Sequence, residues 1–280
     1  LKMKKWIPCN LTKSFEIKAL YTAFAITFDN QFSFAGETHN FYEVICVLDG
    51  KIGIASDMNV YSVSGGRLVI HKPMEFHRIW SEEQTTPSII IISFDAHTSI
   101  EIAGTVFELS EDEIREFCGI YRGISESCEI IMRRVTSVLP GCLPRLQLAV
   151  NNLENLLLGI IAGSRNRPSA ESSSSACAVK YREIMKFLSD NVHARLTIED
   201  VARACGMSTS GVKQIFRRYT GQGIMRYFRD LKLKSAITLL NSGCSVKETA
   251  LRLGFADQNY FSTYFKRMTG KSPRAYISGN

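Results

Sequence analysis

Six polar side chains lie on the polar faces of two similar helical segments near the end of this 280-residue chain. They are Lys213 and Gln214 in the first segment, and Gln258, Asn259, Ser262 and Thr263 in the second. Amide, hydroxyl and ammonium groups are the side-chain groups that hydrogen-bond to base edges in the major groove of DNA. A basic pair follows each set, Arg217-Arg218 and Lys266-Arg267, and its positive charge suits phosphate. These residue types indicate contact with a nucleic acid.

The opposite face of each segment is apolar. The apolar residues recur at helical spacing, as Val212, Ile215 and Phe216 in the first copy and Phe261, Tyr264 and Phe265 in the second. Such spacing puts them on one helical face, and we predict that this face packs into a core. The polar groups are therefore expected on the exposed face.

A repeat precedes each of these segments and would position them. Residues 197–207 match residues 245–255, and each copy has a hydroxyl N-cap, an acidic first turn and an alanine for close packing. Each copy also has a glycine at its helix end, Gly206 or Gly254. A sharp turn there requires a residue that tolerates positive φ. The repeat predicts two tandem helix-turn-helix units.

One long helix is predicted between the two units, from Gly223 to Leu240. Its apolar anchors are Met225, Phe228, Leu231, Leu233, Ile237 and Leu240. A rigid connector would fix the two second helices relative to each other. If they share one face, they can enter successive major-groove segments about 34 Å apart.

Charge and composition agree with a polyanionic partner for the last third of the chain. The whole chain carries a net charge of +7. Residues 178–280 hold 18 Lys and Arg against 7 Asp and Glu, a net charge of +11, whereas residues 1–164 carry −5.

The longest apolar run is too short to cross a bilayer, so we expect a cytosolic protein without a membrane partner. The eight cysteines form no C-x-x-C pair and are expected to be reduced thiols, with a redox-sensing pair as the alternative.

Residue composition and the spacing of apolar residues divide the chain into several parts. Residues 165–177, rich in serine and containing Pro168, predict a flexible linker between two domains. Before it, short apolar runs separated by turns predict a small sandwich or barrel. The predicted strands are 22–28, 41–48, 51–55, 67–71, 76–80 and 88–94. Ser110 with Glu113 forms a capping box that predicts a helix, and a second helix is expected over 145–163.

The second of these helices has a wide apolar face. It carries Leu146, Val150, Leu153, Leu157 and Ile160 at steps of three and four residues. This face predicts either a seam between two subunits or packing on the chain's own barrel.

Residues 178–280 resemble the DNA-binding domain of AraC/XylS-family transcription regulators. The similarity is strongest over residues 253–273, LGFADQNYFSTYFKRMTGKSP, and one departure is Ser210-Gly211 in the first unit. The resemblance implies an all-α, seven-helix double helix-turn-helix domain that binds double-stranded DNA. It maps base contacts onto Ser210, Lys213, Gln214, Gln258, Asn259, Ser262 and Thr263. Phosphate contacts are expected from Thr209, Arg217, Arg218, Lys266 and Arg267.

Residues 41–50 and 66–79 are similar to the two motifs of cupin-like sensor barrels, which this family often carries. The resemblance implies a cavity for a small-molecule effector, with His39, Phe41, Glu43 and His77 as candidate pocket residues. In cupin enzymes the same motifs hold a metal, and the matching positions here are Glu37, His39, Glu43 and His77. One histidine of that set is replaced by Glu37, so we expect polar groups that bond each other or line an organic pocket, with no metal and no cofactor.

Together these features predict a multidomain α and β protein: a cupin-like barrel over 1–105, a helical dimerisation segment over 106–164, the linker and the DNA-binding domain. The expected function is effector-controlled, sequence-specific transcription regulation by a homodimer that is not an enzyme, and that contacts RNA polymerase if it activates. The alternative function is a cupin-type metal-dependent enzyme fused to a DNA-binding domain. A third is a regulator with a filled barrel that senses a protein partner or temperature.

Overall fold

The computed structural model describes residue 9, residues 12–100, residue 102, residues 106–163 and residues 173–277. Ten strands belong to the N-terminal half of this described chain. They are β1 (Phe15–Thr27), β2 (Tyr42–Asp49), β3 (Lys51–Ser56), β4 (Val60–Ser64), β5 (Arg67–His71), β6 (His77–Ser81), β7 (Ser88–Thr98), β8 (Val106–Glu108), β9 (Cys128–Ile131) and β10 (Arg134–Val138). Each of the six predicted strands overlaps one of them, and β4, β8, β9 and β10 lie outside the predicted set.

The strands form two sheets that face each other. The larger sheet has the order β8-β5-β2-β7-β1-β10-β9, and the smaller has the order β4-β3-β6. Alternation along β2 explains how the larger sheet is covered on both faces. Ile45 and Val47 point into the core between the sheets, whereas Val44 and Cys46 point into a second core beneath two helices. The predicted cupin-like β domain is confirmed.

The two helices are α1 (Glu111–Ser125) and α2 (Leu143–Gly163). The capping box at Ser110 is present, with the Ser110 side chain accepting from the Glu113 amide and the Glu113 side chain accepting from the Ser110 amide. The segment over 106–164 is nevertheless only partly helical, because β9 and β10 form a hairpin between the helices. Their turn residues, Met132 and Arg133, adopt positive φ, which the sequence does not signal with a glycine.

Of the two alternatives that the sequence leaves open for α2, a subunit seam or packing on its own barrel, the burial of its side chains favours the second. Leu153, Leu157 and Ile160 are buried within their own chain, at 0–1% exposure, against the larger sheet and α1. Leu146 is buried in the same core and Val150 packs against it. A side chain that already lies in one subunit's core cannot also fill a partner's surface. The apolar face therefore covers the chain's own sheet, and it is wide because a helix on a sheet is covered over more than one stripe.

We expect Leu157→Ala to lower the free energy of unfolding by about 2–5 kcal/mol, because it opens a cavity in this core. Chemical denaturation at several protein concentrations would measure it, and the loss should not depend on concentration. Leu251→Ala is the matched control, since Leu251 is a leucine of a helix with 77% exposure, and a change of about 0.5 kcal/mol or less is expected. If the loss in free energy of unfolding for Leu157→Ala depended on protein concentration, this face of α2 would instead form a contact between two subunits.

Seven helices follow in the described stretch from 173 to 277. They are α3 (Ala176–Asp190), α4 (Ile198–Ala204), α5 (Thr209–Thr220), α6 (Ile224–Asn241), α7 (Val246–Arg252), α8 (Gln258–Thr269) and α9 (Pro273–Ile277). The predicted seven-helix domain is confirmed. Most of the predicted linker, residues 165–172, lies outside the described residues. At its end the Ser173 amide donates to the Val60 carbonyl at 2.7 Å, and α3 begins within the predicted linker.

The connector helix α6 belongs to two cores. Its first half contributes Tyr227 and Phe228 to a core with α3, α4 and α5. Its second half contributes Ala236 and Leu240 to a separate core with α7, α8 and α9. One continuous helix buried at both ends holds the two units at a fixed relation, as the sequence predicts.

The N-terminal barrel packs directly against the first helical unit. Ala55, Val60 and Phe76 of the barrel are buried in the same cluster as Tyr181 and Phe216. The Trp80 ring lies 6.0 Å from the Tyr219 ring, measured between centroids. We call this contact the interdomain interface.

Polar groups reinforce the interdomain interface. The Tyr181 hydroxyl donates to the Ser56 carbonyl at 3.1 Å. Asp57 accepts from the Tyr227 hydroxyl at 2.5 Å, and from the Lys234 ammonium at 3.2 Å to each carboxylate oxygen. Arg78 donates to the carbonyls of Arg217 and Arg218, at 3.3 and 2.6 Å, near the end of α5. A guanidinium there complements the negative end of the helix dipole.

Candidate functional site

The second helices of the two repeat units, α5 and α8, have the same design. Ser208 caps α5 and Asp257 caps α8, each accepting a backbone N–H of the first turn, and each helix ends at a glycine in the left-handed region. The first helices end at turns in which Gly206 and Gly254 have φ of +60° and +68°. At Gly254 an added Cβ would lie 1.7 Å from the His193 carbonyl oxygen, so only glycine fits.

The predicted DNA-contacting side chains lie on the accessible faces of these helices. Val212 and Phe216 of α5, and Phe261 and Phe265 of α8, have 0% exposure and fill the cores as predicted. The base-reading set is Ser210, Lys213, Gln214, Asn259 and Thr263, all exposed, with Gln258 and Ser262 half-buried. The phosphate set is Arg217, Arg218, Lys266 and Arg267, all exposed, with Thr209 half-buried. All of these side chains remain candidates for contact with DNA.

A basic cleft between the two units adds residues that sequence reasoning missed. It has a volume of about 640 Å³ and is lined by Arg195, Arg229, Lys232 and Arg267, with apolar residues between them. The Lys232 ammonium donates to the Leu253 carbonyl at 2.9 Å, and burial lowers its pKa. Arg195 and Arg229 are far apart in sequence, and only folding brings them together. Their cations suit a phosphate backbone running between two grooves.

A second candidate site lies between the two sheets of the barrel. A cavity of about 210 Å³ has aromatic and aliphatic walls from Phe24, Phe28, Phe32, Phe34, Ile79 and Ile91. Its polar lining is Thr22, Glu37, Glu43, His77 and Arg133. Such a cavity, mostly apolar with a few convergent polar groups, is typical of a small-molecule site.

Only two of the four predicted pocket residues line the cavity. Glu43 and His77 line the cavity, whereas His39 and Phe41 do not. Phe41 precedes β2, which begins at Tyr42, and its side chain lies outside the cavity lining. Its ring stacks on His39 at 3.9 Å and on Tyr21 at 4.2 Å, so it supports His39 from outside the cavity.

Four predicted donors do converge at the polar end of the cavity. One ligand atom from each of Glu37, His39, Glu43 and His77 lies within 4.8 Å of the others. The backbones of Glu37 and His77 pair as an isolated bridge, which sets these two side chains beside each other. His77 Nε2 lies 3.3 Å from Glu43 Oε1 and 3.8 Å from Glu37 Oε1.

Electrostatics at this cluster follow from burial and close charges. Burial, followed by the charge of Glu43, raises the pKa of Glu37. Burial lowers the pKa of His39, and neighbouring His77 lowers it further. Burial also opposes charge on His77, but its bond and attraction to Glu43 outweigh that and raise its pKa. These shifts favour an ion pair between protonated His77 and the Glu43 carboxylate.

Comparison with known proteins identifies both halves of the chain. A helix-turn-helix domain family matches residues 201–279. The family of AraC-like ligand binding domains matches residues 23–177, more than half of the chain. The chain belongs to the AraC family. The predicted resemblance is thereby confirmed, and the protein is a DNA-binding regulator and not an enzyme.

Relatives of this AraC-family protein include two curated transcriptional activators. RhaR of Pectobacterium atrosepticum is 30% identical over 154 residues, which cover 54% of this chain and 54% of RhaR. RhaS of Salmonella typhimurium is 24% identical over 251 residues, 89% of each protein. Among solved structures, ToxT of Vibrio cholerae O395 is 14% identical, with 95% of this chain and 98% of ToxT covered and a TM-score of 0.38.

No helix in the described part of this AraC-family chain is both long and apolar enough to cross a bilayer. Separately, its family membership supports contact with DNA.

Proposed function

We propose that this AraC-family protein reads specific DNA sequences with α5 and α8 and adjusts transcription when a small molecule occupies its barrel. The observation that carries the proposal is the pair of capped helices with buried apolar faces and accessible polar faces, joined by one rigid connector. Seven base-reading and five phosphate-contacting side chains, the sets given above, belong to this surface. The basic cleft between the units would receive the intervening phosphate backbone.

The effector we propose is a small organic molecule with an apolar body and a polar or anionic head. The phenylalanine-rich walls of the 210 Å³ cavity suit the body. Glu43 and His77 at one end, and Arg133 in the same lining, suit a head that donates and accepts hydrogen bonds. His39 would contact the head through the cluster, and Phe41 would hold His39 in place.

We also propose a homodimer, because AraC-type reading of two half-sites is geometrically natural for a two-fold assembly. Its contact would use apolar side chains that the end of β10, the following loop and α2 leave exposed. These are Val138, Leu139, Leu143 and Leu148.

The domain division proposed is the barrel over 1–105, the segment over 106–164, the linker over 165–177 and the DNA-binding domain over 178–280. Its place of action would be the cytoplasm, where bacterial DNA lies, with RNA polymerase as partner if it activates.

The experiment that tests sequence-specific reading begins with selection of preferred duplexes from a random pool by the full chain. Binding of the selected duplex and of a scrambled duplex is then measured by fluorescence anisotropy at about 0.15 M salt, where the Debye length is about 8 Å. We expect the selected duplex to bind at least about 10³-fold more tightly. Equal binding of both duplexes would contradict the proposed specific reading.

A further inference from the structure

The turn of the β9–β10 hairpin has a backbone conformation that its residue types disfavour. Met132 and Arg133 form a two-residue turn that joins β9 to β10, with φ of +49° and +70°. Such turns favour asparagine and glycine, because a larger side chain crowds the left-handed region. Strained backbone of this kind persists only where the surrounding structure holds it, and it clusters at ligand clamps. The turn therefore points to a functional contact at these residues.

Arg133 extends from this turn into the lining of the barrel cavity. Its guanidinium carbon lies 4.9 Å from the centroid of the Phe24 ring, which forms another part of the lining. A ring face attracts the positive charge but supplies no oxygen acceptor, so the N–H donors remain available. Among the described residues the guanidinium has no hydrogen-bond or salt-bridge partner. The hairpin thus presents an unpaired cation to the cavity.

The carboxylates of the same cavity are directed at a different cation. His77 Nε2 lies 3.3 Å from Glu43 Oε1 and 3.8 Å from Glu37 Oε1. Ser93 Oγ donates to Glu43 Oε2 at 3.1 Å and so satisfies the other oxygen of that carboxylate. Protonated His77 therefore serves the acidic groups, and the counter-ion of Arg133 must come from a bound molecule.

The size and the walls of the cavity limit the body of that molecule. The volume is about 210 Å³, and most of the apolar walls are phenylalanine rings. An apolar cavity of about 150 Å³ accommodates benzene. The additional space suits a short chain and a head group. The cavity therefore fits one aromatic ring with a short side chain.

We propose that Arg133 selects an effector that is a small one-ring aromatic carboxylic acid, with its ring in the cavity and its carboxylate on the guanidinium. This inference rests on the proposed function, since it names the ligand class of the same barrel cavity. The planar guanidinium donates two parallel N–H bonds to a carboxylate. One negative charge matches one guanidinium, whereas a phosphate dianion would bring a second negative charge close to Glu43. Arg133 lies outside both barrel motifs, on a hairpin between two helices.

The hairpin that carries Arg133 is attached to the barrel by few backbone bonds. In the described part of the chain, β10 pairs with β1 only at Arg134 and Thr22. Beyond that pair a groove of about 290 Å³ lies between residues 135–138 of β10 and residues 17–20 of β1. An element with so few contacts opens locally at low cost. A carboxylate on Arg133 would therefore restrain the hairpin against the cavity.

The test titrates the full-length protein with 3-phenylpropionate and with 3-phenylpropanamide, its neutral isostere, by isothermal titration calorimetry. We expect the parent to prefer the acid by about 5–50-fold, a range discounted for the exposure of Arg133. Arg133→Gln should remove the preference by weakening binding of the acid alone. Arg133→Lys keeps the charge without the planar fork and should retain part of the preference. Arg134→Gln is the matched control, because Arg134 is an exposed arginine outside the cavity lining, and it should bind like the parent.

Arg133→Gly separates binding from folding. Glycine adopts positive φ without strain, so the melting temperature of this variant should be no lower than that of the parent. The preference for the acid should nevertheless be lost. Hydrogen exchange locates the effect, because the acid should slow exchange of the β9–β10 amides in the parent and leave it unchanged in Arg133→Gly.

Three outcomes would overturn the proposal. Equal affinity of the parent for acid and amide would remove the selection while leaving a small-molecule site in the cavity. Equal loss of acid binding in Arg133→Gln and Arg134→Gln would mean a general effect of charge. Binding of neither probe by folded parent protein would exclude the one-ring aromatic class. The duplex selection is read without either probe, so failure of DNA reading is seen separately.

Discussion

Asn259→Ala and Gln258→Ala are each expected to weaken binding to the selected duplex by about 1–3 kcal/mol, a factor of roughly 5–150. Both residues lie in the first turn of α8, and Asn259 is exposed there. A side-chain amide can donate to and accept from one adenine edge, and alanine can do neither. The loss should appear only with the selected duplex, and a repeated selection should show relaxed preference at one base position. Anisotropy titrations of selected and scrambled duplexes measure both effects.

Two further variants, one at an expected phosphate contact and one away from the DNA, serve as comparisons for this result. Lys266→Ala removes a cation at the end of α8, so it should weaken both duplexes alike and reduce the slope of log affinity against log salt by about 1. Asn241→Ala changes an exposed asparagine at the end of α6 and should alter neither. If Asn259→Ala instead weakened scrambled and selected duplexes equally, Asn259 would be a phosphate contact and not a base contact.

Asp57→Ala is expected to loosen the interdomain interface by about 1–3 kcal/mol. The carboxylate accepts from the Tyr227 hydroxyl, both of its oxygens accept from the Lys234 ammonium, and the Phe76 amide donates to it at 3.3 Å. Burial, with the nearby Asp57 charge, raises the pKa of Tyr227 well above its usual value, so its hydroxyl stays a donor. Alanine would leave that buried donor and a largely buried ammonium, 17% exposed, without their acceptor.

Hydrogen exchange measured by mass spectrometry reports this change locally. Peptides covering Phe76 and the start of α6 should exchange about 5–150-fold faster, because the undocked population rises by that factor. Exchange within the cores of the two domains should stay the same. Asp95→Ala is the matched control, since Asp95 is an exposed aspartate on β7, away from the interface. Unchanged protection in Asp57→Ala would mean that apolar packing around Tyr181 and Phe216 holds the domains without it.

The interdomain interface connects the barrel cavity with helix α5 of the first helix-turn-helix unit. Arg78 lies one residue after His77 on β6, and it binds the carbonyls near the end of α5. Its guanidinium also donates to the Phe34 carbonyl at 2.8 Å, and Phe34 lines the cavity. Arg78 therefore links a wall of the cavity to the carboxyl end of α5 by direct hydrogen bonds.

Local patterns were sufficient for the parts of the protein whose structure is set locally. Caps, turn glycines and apolar spacing located the repeat, the connector and both base-reading helices, because a helix-turn-helix is built from contacts within a few residues. The six main strands followed from apolar runs between turns. Short strands such as β8 and β10 gave no such signal, because a segment of three to five residues is too short to show a strand pattern and forms a strand only beside a neighbour that is already paired.

Sequence alone thus determined the family, the tandem reading units and the identity of four possible donors near the barrel motifs. Only the tertiary structure decided what α2 covers, since an apolar face does not say whether its own chain or another buries it. It alone also brought Glu37 beside His77, assembled the basic cleft and joined Asp57 to Tyr227. Glu37 and His77 are 40 positions apart, and Asp57 and Tyr227 are 170 apart, and no short-range pattern records which distant side chains share a surface.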